Sequence, residues 1–203
     1  MASEDPLTCK IVLVGETGVG KTAIISRYTL DTFKKGQQPS TMASRTMKEI
    51  IIPEFNRKLK FDIWDTAGQE KYRALTKFFY KDAAIAIMVY DITRRESFDE
   101  VSNYWSTQVR ECASESLIIG IAGNKSDLFD QEQVKEMEGK TLAKELGAVY
   151  QLTSAMNGSG IITLFQKLGS EYLTYHKRRP SQQSDARRQL KNENAHKKKK
   201  KCC

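Results

Sequence analysis

Along the first 176 residues, short unbroken apolar runs alternate with longer stretches of helical spacing. Cys9–Val14, Ala83–Tyr90, Leu117–Ala122 and Ala148–Leu152 are β-branched and nearly continuous in apolarity, as parallel strands covered on both faces must be. Between them, Lys21–Leu30, Ser97–Cys112, Glu132–Leu146 and Gly160–Tyr175 repeat apolar residues at the helical period. Strands alternating with helices predict βαβ units with right-handed crossovers. Met47–Ile52 and Leu59–Trp64, separated by a polar turn around Asn56 and Arg57, predict an antiparallel hairpin at one edge. The expected fold class is α/β: one domain over residues 8–176, with a six-stranded, mostly parallel sheet, one antiparallel edge hairpin and helices on both faces. Residues 1–7 are expected to be flexible. Residues 177–203, rich in Gln, Ser, Asn and Lys, are too poor in apolar surface to order themselves.

Charge sharpens this division. The chain carries 33 Lys and Arg against 25 Asp and Glu, a formal +8. Residues 177–203 hold eleven basic and two acidic side chains, a net +9, which leaves the preceding 176 residues at −1. A near-neutral body argues against a folded surface built for nucleic acid and puts the electrostatics in the tail. The longest apolar run, Ala83–Tyr90, has eight residues, against about 20 for a bilayer span. The first residues have neither the basic start nor the apolar core of a secretory signal, and Ala2 is incompatible with myristoylation, so a cytosolic setting is expected. Cys9 and Cys112 read as small buried side chains, and His176 and His196 have no ligand-type neighbours.

Chemistry concentrates in three segments. Gly15-Glu-Thr-Gly-Val-Gly-Lys21-Thr22 matches G-x-x-x-x-G-K-[ST], after a predicted strand and at the start of a predicted helix. There glycines let the backbone curl so that successive N–H groups point at phosphate oxygens, and Gly15, Thr17, Gly18, Val19, Gly20 and Ala23 are expected to bind the nucleotide. Lys21 reaches the terminal phosphates and Thr22 offers a hydroxyl to Mg²⁺. Asn124-Lys125-Ser126-Asp127 lies at the carboxyl end of a strand, where ligands bind in open α/β sheets. Asp127 can accept two hydrogen bonds from guanine's ring N–H and exocyclic amine, a donor pair that adenine lacks. Asn124 braces the loop and the stem of Lys125 covers the base. Trp64-Asp65-Thr66-Ala67-Gly68-Gln69-Glu70 ends the second hairpin strand. In it Asp65 is placed to hold Mg²⁺ through a water, Gly68 N–H to sense the γ-phosphate, and Gln69 to orient the attacking water. Thr41 is the remaining candidate Mg²⁺ ligand.

These elements, in this order and spacing, resemble a Ras-superfamily small GTPase, and within it a divergent member of the Rab family. Trp64, the segments Phe79–Ala83 and Tyr90–Thr93, and Glu96-Ser97-Phe98 carry the Rab resemblance. It implies a GTP hydrolase that acts as a switch in vesicle and protein transport: GTP holds the Thr41 and Gly68 loops ordered, and effectors bind that form. It also implies an exchange factor, a GTPase-activating protein, escort and dissociation-inhibitor proteins, a monomer, and no nucleic acid. Thr153-Ser154-Ala155-Met156 resembles the family's guanine loop with Met for Lys; Ala155 N–H meets the guanine oxygen and Met156 packs on the ring. The terminal Cys202 and Cys203 resemble the double geranylgeranylation signal. Two chains beside five lysines would attach the protein to the cytoplasmic face of an intracellular membrane, with a cytosolic pool.

Departures from the family pattern bear on rate and partners. Thr17 replaces Gly or Ser close to the reacting phosphate, and no arginine near the site stands out as a finger, so low intrinsic turnover is expected, with an activator supplying Arg or Gln. A slowly or non-hydrolysing membrane scaffold is the alternative. Thr46 stands in the place of a Rab phenylalanine, which would break the aromatic trio with Trp64 and Phe79.

Overall fold

The computed structural model describes residues 6–36, 43–66, 82–112 and 116–177. Six strands form one sheet in the order β2-β3-β1-β4-β5-β6. They are β1 (Leu7–Val14), β2 (Ser44–Ile52), β3 (Arg57–Asp65), β4 (Ile85–Asp91), β5 (Ile118–Asn124) and β6 (Val149–Leu152). Only the β2–β3 pair is antiparallel; β1–β3, β1–β4, β4–β5 and β5–β6 are parallel. The α/β expectation with an edge hairpin therefore holds.

The apolar continuity of β1 has a simple cause. Ile11 and Leu13 pack on one face of the sheet with Ile24, Phe61 and Phe165, while Val12 and Val14 pack on the other with Met88, Tyr90, Val101 and Trp105. Both sides of a period-two strand must then be apolar. The first layer is covered by α1 (Lys21–Leu30) and by α4, residues 161–177, where Tyr28 stacks on Phe165 with ring centroids 3.7 Å apart. The second is covered by α2 (Arg95–Glu100, continued through a π-type turn Val101–Trp105 into Ser106–Cys112) and α3 (Glu136–Leu146). Cys9 is buried, as expected.

Besides shifts of two or three residues at other element ends, two local features differ from expectation. The helix predicted from Glu132 begins at Glu136, because Ser126–Gln131 forms a 3₁₀ turn and both Glu132 and Lys135 are extended. The Glu138 carboxylate accepts from Lys135 N–H at 2.9 Å and fixes that later start. The hairpin is closed by a 3₁₀ turn, Pro53–Phe55, followed by Asn56 in the left-handed region. That turn sets a register in which Arg45, not Thr46, faces Trp64, while Thr46 pairs with Ile63.

Candidate functional site

The carboxyl ends of β1, β4 and β5 bring residues 15–22, 91–94 and 124–127 to one edge of the sheet. Glycine is required twice in the first of these loops. Gly15 has φ 139° and a Cβ there would stand 2.2 Å from the Val89 carbonyl oxygen; Gly20 has φ 99° and its Cβ would stand 2.3 Å from Asn124 Nδ2. The curled backbone encloses Lys21, which is 5% exposed and donates through Nζ to the carbonyls of Gly15 (2.8 Å) and Glu16 (2.9 Å). Burial pulls the Lys21 ammonium down to about 8, against the opposing charges of Asp65 and Glu16. Thr22 Oγ1 donates to Asp65 Oδ2 at 2.5 Å. Burial pushes the Asp65 carboxyl above its usual range, opposed by the Thr22 hydroxyl and the Lys21 charge. The second oxygen, Asp65 Oδ1, is buried without a hydrogen bond among the described residues.

The second loop is tied to the first. Asn124, 1% exposed, donates from Nδ2 to the Val19 carbonyl at 2.8 Å, and its Oδ1 accepts from Thr153 Oγ1 and Ala155 N–H, both at 3.3 Å. Ser154 Oγ donates to Asp127 Oδ1 at 2.5 Å, so the candidate base discriminator is held by the 153–156 loop. Lys125 sits in the left-handed region (φ 67°) with its Nζ 2.5 Å from Asp91 Oδ2, which anchors the head group and leaves the stem across the loop. Met156 is 55% exposed.

The expected residues Gly15, Thr17, Gly18, Val19, Gly20, Lys21, Thr22, Ala23 and Asp65 thus lie in one phosphate-loop cluster, and Asn124, Lys125, Asp127, Ser154, Ala155 and Met156 in a second that Asn124 bolts to it. Thr41, Gly68, Gln69, Phe79, Cys202 and Cys203 lie outside the described residues, as does the tail beyond Lys177.

Sequence reading missed four contributors. Arg27 holds the 153–156 loop from α1, donating to the carbonyls of Ala155 (2.9 Å) and Met156 (2.7 Å). Asp91 anchors Lys125 and also accepts from Thr93 N–H (2.9 Å) and Oγ1 (2.7 Å). Arg94, which falls between the Tyr90–Thr93 and Glu96-Ser97-Phe98 segments and in neither, donates through Nη2 to Glu16 Oε2 (2.9 Å) and to the Thr17 carbonyl (3.2 Å), on the 15–22 loop itself. At the hairpin, Arg45 Cζ lies 5.3 Å from the Trp64 ring centroid and its guanidinium forks onto Asp62 at 2.6 and 2.9 Å. The Arg45 hydrogen bond holds the Asp62 carboxyl below its usual range. Lys10 Nζ lies 4.8 Å from the same indole. Trp64 is therefore flanked by cations, and the substitution that bears on its surroundings is at Arg45 rather than Thr46.

The sequence is similar to known proteins. The family model described as Ras family covers residues 10–174. Ras-related protein RGP2 of Oryza sativa subsp. japonica is 41% identical over 162 residues, 80% of this chain and 73% of that protein. Ras-related protein Rab-22A of Mus musculus is 42% identical over 156 residues (77% and 79%), and Ras-related protein Rab-31 of the same species is 39% identical over 162 residues (80% and 82%). These matches do not favour the scaffold alternative. With a buried loop lysine, a paired threonine and aspartate, and Asn124 donating to the Val19 carbonyl of the same loop, the chain belongs to the Ras family as a Rab-type small GTPase, a GTP hydrolase of membrane trafficking.

Proposed function

We propose that this chain cycles between GTP- and GDP-bound forms with Mg²⁺, and that Cys202 and Cys203 carry lipid that holds it to the cytosolic face of an intracellular membrane. One observation carries the proposal: buried Lys21 and Asp65, with Thr22 donating to Asp65, stand at a loop that Asn124 joins to the Asp127 loop. No helix among the described residues is long and apolar enough to cross a membrane. Exchange factor, activator, escort and dissociation-inhibitor proteins, and effectors are the partners this cycle requires.

The residues fit a magnesium ion. Asp65 keeps a buried oxygen that no described residue satisfies, and the Thr22 hydroxyl stands against its other oxygen, which is the hard-oxygen donor set this ion takes. Thr41 would complete it. Bound there, the ion would supply positive charge to offset that of the nucleotide phosphates. The chain's residues do the rest. Lys21 exchanges its two carbonyl partners for phosphate oxygens, and the loop amides and the amino end of α1 accept the remaining charge. Gln69 orients a water in line with the γ-phosphorus, and Gly68 reports the γ-phosphate to the adjoining loop. Asp127 reads guanine, Ser154 holds its carboxylate, and Ala155 N–H meets the guanine oxygen.

Binding of fluorescent GTP to the purified chain tests this. Lys21→Ala is expected to abolish binding. Asp127→Asn presents one acceptor and one donor, which suits xanthine's C2 carbonyl rather than guanine's amine. It should lose about 10²-fold or more for GTP and gain affinity for xanthosine triphosphate. Unchanged GTP affinity in either variant would refute the site.

A further inference from the structure

Arg94 follows β4 in an extended conformation (φ −132°, ψ 103°), with its guanidinium on residues 16–18 of the phosphate loop. Among the described residues only Nη2 is engaged, by Glu16 Oε2 at 2.9 Å and the Thr17 carbonyl at 3.2 Å. Nη1 has no hydrogen bond among the described residues and lies 4.0 Å from where a Gly18 Cβ would stand. Nε is buried without a partner among the described residues, and so is Thr17 Oγ1.

A guanidinium has five N–H donors in a fork that matches phosphate. Burying Nε unpaired costs free energy, and an Arg–Glu pair with side chains 42% and 26% exposed returns little. Stability is therefore a poor reason for a cation here. Its place on the loop that curls around the nucleotide phosphates is a better one.

We infer that Arg94 gives this GTPase an arginine of its own: its free donors engage the nucleotide phosphates and stabilise the charge that builds during transfer, while Glu16 competes for the same guanidinium and restrains it. The inference rests on the nucleotide site proposed above. In the step, the water oxygen bonds to the γ-phosphorus and the bond to the β–γ bridging oxygen breaks. GDP leaves with that electron pair, and both of the water's protons end on the released phosphate. Arg94 stays protonated throughout.

A static latch between the two loops is the competing account, and the two differ in sign. A latch is broken equally by Arg94→Ala and Glu16→Gln. An intrinsic arginine is lost in the first and released in the second. The test is single-turnover hydrolysis of prebound GTP by the full chain with magnesium and no activator. Arg94→Ala should be about tenfold slower or more, a fraction of the about 10³ to 10⁵ that an unrestrained arginine finger supplies. Arg94→Lys, which lacks the fork, should stay slow. Glu16→Gln should be about threefold faster, in keeping with the restraint removed.

Binding of aluminium fluoride to the GDP form, read by nucleotide fluorescence, is the second measurement, because a transition-state mimic reports this contact without turnover. Wild type and Glu16→Gln should take it up without an activator, and Arg94→Ala should not. Melting curves confirm folding. Rates that change in the same direction in Arg94→Ala and Glu16→Gln, or do not change, overturn the inference. A loss confined to nucleotide dissociation also overturns it. Failure of the wild type to retain GTP would instead be a failure of the proposed site.

Discussion

Replacing Asn124 by alanine should uncouple the phosphate loop from the base loop. The amide makes one short bond, Nδ2 to the Val19 carbonyl at 2.8 Å, and two long ones at 3.3 Å, accepted from Thr153 Oγ1 and Ala155 N–H. Deleting it leaves the Val19 carbonyl and the Ala155 N–H buried without that partner, at about 1 to 3 kcal/mol for each such group. The 3.3 Å contacts are at the weak end of hydrogen-bond geometry and count for a fraction of that. The sum is about 2 to 3 kcal/mol. Because all three bonds join loops around the nucleotide rather than layers of the core, most of it should fall on binding, as about 30- to 150-fold weaker affinity. Dissociation of N-methylanthraniloyl-GDP, followed by stopped-flow fluorescence, measures this. Gly20→Ala should act in the same direction, since its Cβ would collide with the same amide. An Asn124→Ala protein that binds GDP within about threefold of wild type would refute the coupling. So would one that loses its fold instead of its affinity.

Two further outcomes follow from named groups. Lys21 sits at about 8 in the folded protein against an ordinary 10.5, so between those values the unfolded chain binds more protons and stability rises with pH. Denaturant titrations of nucleotide-free protein at about pH 7.5 and 9.5 should show a gain of about 2 kcal/mol in wild type that Lys21→Met lacks; equal slopes would contradict the burial of that ammonium. Replacing Cys202 and Cys203 together by serine should shift a fluorescent full-length protein from membranes to a diffuse cytosolic signal, and a membrane pattern unchanged by the double substitution would remove the lipid anchor.

The layers of the fold were legible because burial on both faces forces continuous apolarity, as in β1, and helices announce their own period. The phosphate loop was legible for a local reason: two left-handed turns and a close approach admit only glycine at Gly15 and Gly20. The start of α3 was not, because Glu132–Lys135 can continue a helical pattern, and the Lys135–Glu138 cap decides against it. The Trp64 neighbour was misplaced by one residue because register depends on the Pro53–Asn56 turn, not on the alternation within β2. The contacts that knit the site together escaped detection for a common reason. Asn124 to Val19 spans 105 positions, Arg27 to Ala155 spans 128 and Arg94 to Glu16 spans 78, and no local pattern encodes a pairing at such separation.

The most direct measurement is equilibrium competition between GTP and ATP for the purified full chain in the presence of magnesium. A carboxylate at Asp127, held by Ser154 and linked through Asn124 to the phosphate loop, predicts that GTP is retained and that excess ATP does not displace it. Displacement of GTP by equimolar ATP, or retention of neither nucleotide, would contradict it.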